Sequence, residues 1–221
     1  IGDAIVAFYG APIDVKEHEL MACRTAIKMQ ERLAELREQW QAEGNRWPEI
    51  VHHMQNRIGI NTGQLVTGNM GSESRMNYTM MGDTVNLAAR LESSAKQYGI
   101  YIQIAESTYQ AIQDKIVVRA LDFVQVMGKE EPVKVFELIS EIGKEPEPYK
   151  KILPAFHEGI ELYFNQDWDK AKEAFKASND LEEMFPGRKT NPSRVYIARC
   201  EHFKVNPPGD NWDGVWVHTS K

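Results

Sequence analysis

Cysteine is scarce: 221 residues contain two, Cys23 and Cys200. Both sit in helical apolar patterns, which argues against a disulfide framework and reads as reduced core thiols of a cytoplasmic protein. Long apolar runs are missing as well. No stretch can span a bilayer and no signal peptide is visible, although an anchor upstream of Ile1 stays open. Positive charge is in deficit. Lys and Arg number 26 against 32 Asp and Glu, a net charge of −6. With no basic stripe, this argues against a nucleic-acid partner. His52 and His53 lack further ligands at metal-binding spacing. The Walker phosphate-loop pattern is also absent, so the glycines at 59, 63, 68 and 71 read as turns and a tight subunit contact.

The residues that are present alternate strand and helix signals. Ala4 to Phe8 is a β-rich apolar run bounded by Gly2-Asp3 and Gly10-Ala11-Pro12, as though the chain opened in mid-structure. A Gly-Asp pair before such a run reads as a hairpin turn, which leaves Asp3 at a strand edge. There Asp3 is either a turn residue bonding its own backbone or a carboxylate facing a metal, and composition alone favours the turn. Asp14 to about Ala42 carries Leu20, Cys23, Ile27, Leu33, Leu36 and Trp40 at helical spacing. Arg57 to Asn61 reads as a short strand, Gln64 to Thr67 as another, and Gly68 to Gly71 as a break. Gly82-Asp83-Thr84 opens a helix with Asp83 as its N-cap and Val85, Ala88 and Leu91 as its apolar stripe, ended by Gly99. Asn86 and Arg90 project from one face of that helix. A guanidinium beside an amide suits an oxyanion and a neighbouring sugar oxygen, while an isolated helix Arg is ordinarily a solvated side chain. Ile100 to Ala105 reads as a strand and Glu106 to Ile112 as a short helix. Val117–Val126 and Val133–Ile139 form an antiparallel pair. Hairpins mixed with helices, without strict strand–helix–strand repeats, predict an α+β layer fold.

The segments I-G-D-A-I-V-A-F-Y-G, from Ile1, and N-Y-T-M-M-G-D-T-V-N-L-A-A-R-L-E, Asn77 to Glu92, resemble the class III nucleotidyl cyclases of bacterial type. The likeness runs in register from Ile1 to about Leu138. It implies a ferredoxin-like core, incomplete at its N-terminus, with active sites at a head-to-tail homodimer interface. It also implies ATP as substrate and two Mg²⁺ or Mn²⁺ ions per site. Asp3 resembles the second metal-binding aspartate, Asn86 the residue that orients the ribose, and Arg90 the residue that stabilises the α-phosphate. Thr79 occupies the base-selecting position and favours ATP over GTP. Lys129 resembles a triphosphate-binding lysine, and a solvated hairpin-tip lysine reads equally well. The family's first metal aspartate and its adenine-reading lysine lie upstream of the Gly-Asp turn. This sequence contains neither, so the expectation is negligible ATP turnover from these residues alone.

Residues 1–140 therefore read as a partial cyclase catalytic domain. The charged, proline-rich stretch 141–151 reads as a linker. Residues 152–221 read as a helical, tetratricopeptide-like extension with a Trp-rich tail. Its stripes are Leu153, Phe156, Ile160 and Phe164, then Ala171, Ala174, Phe175 and Leu181 after an Asp167 cap, then Val195, Ile197, Ala198 and Cys200 after Pro192. One such unit is too small to stand alone and needs the core or a protein partner to pack on. Trp212 and Trp216 read as a local cap over these helices or as a contact to the core. Besides an adenylyl cyclase, the sequence leaves open a guanylyl cyclase and a catalytically silent regulatory module.

Overall fold

The computed structural model describes residues 4–72, 74–124, 132–182, 188–209 and 211–216. Asp3 and Lys129 lie outside the described residues.

Helix α1 (His18–Ala42) starts four residues later than its sequence pattern and buries Leu20, Cys23 and Ala26. A short 3-10 turn (Gly44–Arg46) and α2 (Glu49–His52) connect α1 to the first strand. Strand β1 (Ile58–Ile60) leads through the hairpin β2 (Val66–Ser72) and β3 (Arg75–Met81) into α3 (Asp83–Tyr98). Then come β4 (Ile102–Ala105), α4 (Glu106–Ile112), β5 (Ile116–Val124) and β6 (Val133–Glu141). The four-stranded sheet has the order β1-β4-β6-β5, and β2 and β3 form a separate two-stranded sheet. β1 and β4 run parallel with α3 as their crossover, whereas β6 is antiparallel to both β4 and β5. The mixed α+β fold is the one expected.

Both sheet faces are covered. Leu20, Cys23 and Ala26 of α1 and Ile112 of α4 pack with Ile102, Ile104, Phe136 and Leu138 on one side. Leu87, Leu91, Ala95 and Tyr98 of α3 pack with Ala105, Leu121 and Val135 on the other. Successive strand side chains point to opposite faces, so β4, helix-covered on both, is buried at every position. No helix among the described residues is long and apolar enough to cross a membrane.

Three local expectations are corrected. Ala4 to Phe8 is not a strand: the run joins no sheet among the described residues, and Ile5 is 80% and Val6 51% exposed. β-branched residues favour a strand only where a neighbour takes up their backbone groups, and although the Phe8 ring lies 6.0 Å from that of Tyr78 on β3, no described strand forms a ladder with this run. The segment is tied to α1 instead, through the hydrogen bond that Tyr9 Oη donates to Thr25 Oγ1 at 2.7 Å. Second, Gly68 to Gly71 does not break the chain but runs inside β2, Gly68 opposite Thr79 and Gly71 opposite Met76. A Cβ at Gly71 would lie 2.0 Å from the Arg75 carbonyl oxygen, so the glycine lets the ribbon close tightly. Third, Asp83 is the first helical residue of α3 rather than its cap. Gly82 holds the cap position at φ +143° with no side-chain bond. Asp83 still places negative charge beside the positive end of the helix dipole.

Beyond the sheet, α5 (Tyr149–Phe164), α6 (Trp168–Leu181) and α7 (Pro192–Val205) gather around Phe156, Tyr163, Ala171, Phe175, Tyr196, Cys200 and Phe203. Asp167 accepts the Lys170 N–H at the start of α6, and Asn191 accepts the Arg194 N–H at 2.9 Å ahead of Pro192. The stripe on α5 is rotated from its expected position: Ile152, Phe156, Gly159 and Tyr163 face inward, and Phe164 is 40% exposed. The cause is Gly159, where a Cβ would sit 2.7 Å from the Phe175 ring. On α6, Leu181 is exposed and Ser178 buried. On α7, Tyr196, Arg199 and Phe203 are buried with Cys200, since this helix meets α3 as well as α6. Trp212 packs on Tyr163, Trp168 and Phe203, and Trp216 on Phe203, forming a local lid on the helices.

Two buried polar networks join the helices to the sheet. Arg119 on β5, with no exposed side-chain surface, donates to Glu137 on β6 at 2.8 and 2.5 Å. It also donates to Glu182, at the end of α6, at 2.9 and 3.0 Å. Arg188 reaches the same Glu182 at 2.9 Å. Burial and the nearby Glu182 carboxylate push Glu137 up, while the two guanidinium groups outweigh burial and hold Glu182 down. The second network centres on Asp122, between Tyr98 of α3 and Arg199 of α7.

Candidate functional site

The residues singled out in the sequence lie along one strand–helix unit. Thr79 is half-buried in β3, paired with Gly68, and the chain passes from β3 through Gly82 directly into α3. On α3, Leu87 and Leu91 face the sheet, which leaves Asn86 and Arg90 exposed on the outer side. Asn86 and Arg90 sit one helical turn apart and so share a face.

The helix that presents them is held firmly. A Cβ at Gly59 would lie 2.1 Å from the Ala88 carbonyl oxygen and 2.4 Å from the Glu92 nitrogen, so α3 rests on the β1 backbone itself. Thr84 Oγ1 donates to the Gln64 carbonyl at 2.8 Å, and Asn61 Nδ2 donates to the Thr84 carbonyl at 3.0 Å. Ser107 Oγ completes the chain with a 2.9 Å bond to Asn61 Oδ1. Asn61, Thr84 and Ser107 were not singled out in the sequence. Their partners are 23 and 46 positions apart, beyond any local spacing rule.

Among the described residues, neither Asn86 nor Arg90 has a side-chain hydrogen bond or ion pair. The nearby carboxylate of Glu92 is taken by Arg57 at 3.1 Å. An amide and an unneutralised guanidinium thus stand on a fixed surface, open to an anionic ligand. Clefts of about 490 and 280 Å³ lie elsewhere, at the α6–α7 end of the helical group and between α1 and the start of α5. No group of three His, Cys, Asp or Glu side chains able to hold a metal gathers among the described residues, so they furnish no complete metal donor set. Beside the site, the β2–β3 hairpin exposes Val66, Met76, Tyr78 and Met81, the alternate Met76 and Tyr78 being a strand signal that the sequence reading overlooked.

The family model for the adenylate and guanylate cyclase catalytic domain matches residues 1–140. The terminal-differentiation specific adenylate cyclase of Dictyostelium discoideum is 35% identical over 204 residues, covering 90% of this chain and 9% of that protein. That alignment necessarily continues past the sheet into the helices. Among solved structures, the adenylyl cyclase CyaB of P. aeruginosa is 32% identical with a TM-score of 0.50, covering 62% of this chain and 68% of that one. The guanylyl cyclase Cya2 has the same identity and TM-score and covers 62% and 65%. The chain spans only 9 to 27% of the length of the curated adenylate cyclases it matches.

Proposed function

This chain belongs to the adenylate and guanylate cyclase catalytic domain family, and from that premise we propose that the protein is an adenylyl cyclase. It would convert ATP to 3′,5′-cyclic AMP and pyrophosphate. The observation that carries this reading is the pair Asn86 and Arg90, exposed and unpaired among the described residues on a helix pinned to the sheet. In the reaction the ribose 3′-oxygen attacks the α-phosphorus of the same molecule. Its proton is lost, the bond to the β-phosphate oxygen breaks, and pyrophosphate leaves. Negative charge builds on the α-phosphate oxygens, where the Arg90 guanidinium would meet it with fixed, oriented donors. Asn86 would hold the ribose so that the 3′-oxygen lies in line. Thr79 would read the base, and Lys129 would contact the triphosphate. Divalent cations, Mg²⁺ or Mn²⁺, belong to the proposal as ions that Asp3 helps to hold, and their charge would lower the pKa of the 3′-hydroxyl.

The openness of the α3 face supports a shared site. One protomer would contribute Asn86 and Arg90, and its partner in a homodimer Asp3. The apolar β2–β3 surface beside them supplies area for such a contact.

Guanylyl cyclase activity is the second reading, favoured by the equal likeness to CyaB and Cya2. Supplying the full-length protein with ATP and GTP in parallel separates the two. The proposal expects a kcat/KM for ATP at least about tenfold above that for GTP, a difference of about 1.4 kcal/mol in transition-state binding. Preferential cyclic GMP formation would overturn it.

A further inference from the structure

We propose that Tyr98, Asp122 and Arg199 form a positioning clamp through which helix α7 sets the placement of α3, and with it Asn86 and Arg90. The proposal rests on the cyclase reading for its consequence, but its geometry stands apart. Tyr98 closes α3, is 2% exposed, and donates through Oη to Asp122 Oδ2 at 2.6 Å. Arg199 of α7 donates through Nη2 to the same oxygen at 2.6 Å. The other carboxylate oxygen of Asp122 accepts the Phe123 N–H at 2.8 Å, so Asp122 cannot swing away without breaking a backbone contact.

The contact is not limited to one carboxylate. Gly99, which caps α3 at φ +62°, lies so close to the segment leading into α7 that a Cβ there would be 2.1 Å from the Thr190 carbonyl oxygen. Val195 of α7 packs on the cluster formed by Leu87, Leu91, Ala95 and Tyr98. Tyr196 Oη donates to the Leu121 carbonyl, fixing α7 to β5 beside Asp122. The Arg199 guanidinium lies 4.9 Å from the Tyr196 ring and 5.1 Å from the Trp216 ring, which limits its freedom.

A helix transmits displacement along its length, and Arg90 precedes Tyr98 by eight residues, about 12 Å along the axis. The N-terminal half of α3 is held by Thr84 and Gly59, the C-terminal end by the clamp. A misplacement of about 1 Å at a reacting group costs on the order of 100-fold in rate. Loosening the distant end therefore acts on turnover without removing any group that would touch nucleotide.

The test compares Tyr98→Phe, Arg199→Met and Arg199→Lys in the full-length protein, at a temperature where circular dichroism shows each to be folded. The clamp predicts that Tyr98→Phe and Arg199→Met lower kcat by about tenfold or more while KM stays within about twofold. Arg199→Lys, which keeps a cation facing Asp122, recovers part of the loss. Wild-type kcat in folded Tyr98→Phe and Arg199→Met overturns the proposal, as does a loss that lysine does not relieve. A second readout needs no activity. Amide hydrogen exchange in α3 should accelerate selectively in Arg199→Met, and acceleration spread evenly over the sheet would contradict the clamp. A wild-type protein that makes no cyclic nucleotide sinks the cyclase reading, and the exchange data then judge the clamp independently.

Discussion

Arg90→Ala in the full-length protein is expected to lower kcat for cyclic AMP formation by about 100- to 1,000-fold, the usual cost of removing one oriented donor to developing charge. KM for ATP is expected to stay within about threefold, because an interaction made chiefly in the transition state contributes little to ground-state binding. Folding gives no competing explanation. The Arg90 side chain is exposed and makes no described contact, and such surface substitutions change stability by about 0.5 kcal/mol or less. Steady-state kinetics alongside a thermal unfolding curve checks both points. Unchanged turnover would remove Arg90 from the reaction.

Arg119→Met is expected to produce the largest loss of stability. Arg119 is fully enclosed and satisfies Glu137 and Glu182 together. Removing one member of a buried ion network leaves uncompensated charge and costs about 3–5 kcal/mol. For a chain of this size that lowers Tm by roughly 6–20 °C. The loss should depend on pH, and its sign follows from Glu137. Burial and the neighbouring Glu182 carboxylate already raise this carboxyl above its ordinary value of 4.5, and losing Arg119 raises it further. A carboxyl raised in the folded state contributes stability below its unfolded value, and that contribution vanishes as pH rises through the folded one. The deficit of Arg119→Met should therefore be larger at pH 8 than at pH 5. Thermal unfolding at the two pH values measures it, and a Tm within about 2 °C of wild type at pH 8 would show that the network contributes little.

The parts of the fold that were legible in the sequence have local causes. Gly99 marks the end of α3 in the sequence because a residue tolerant of positive φ suits that cap, and it has φ +62°. Asp167 is legible as a cap because a short acidic side chain before an apolar run can accept first-turn amides. Asn86 and Arg90 fall on one exposed helix face because residues four apart must do so. The misreadings have non-local causes. Ala4 to Phe8 has strand composition, yet a strand exists only in its pairing. The inward face of α5 is decided by Phe175 of α6 pressing on Gly159. The partner of Arg199 is Asp122, 77 positions earlier, beyond the reach of any local pattern. The Arg119–Glu182 pair spans 63 positions and is invisible for the same reason.

We propose that two copies of the protein build one nucleotide site, Asp3 from one and Asn86 with Arg90 from the other. Mixing two inactive full-length variants, Asp3→Ala and Arg90→Ala, tests it directly. In a head-to-tail homodimer, half of the randomly assorted pairs carry one variant of each kind, and each such pair retains one intact site. Cyclic AMP production should then return to about a quarter of the wild-type rate. If the mixture stays as inactive as its components while size-exclusion chromatography shows mixed dimers, the shared site is contradicted.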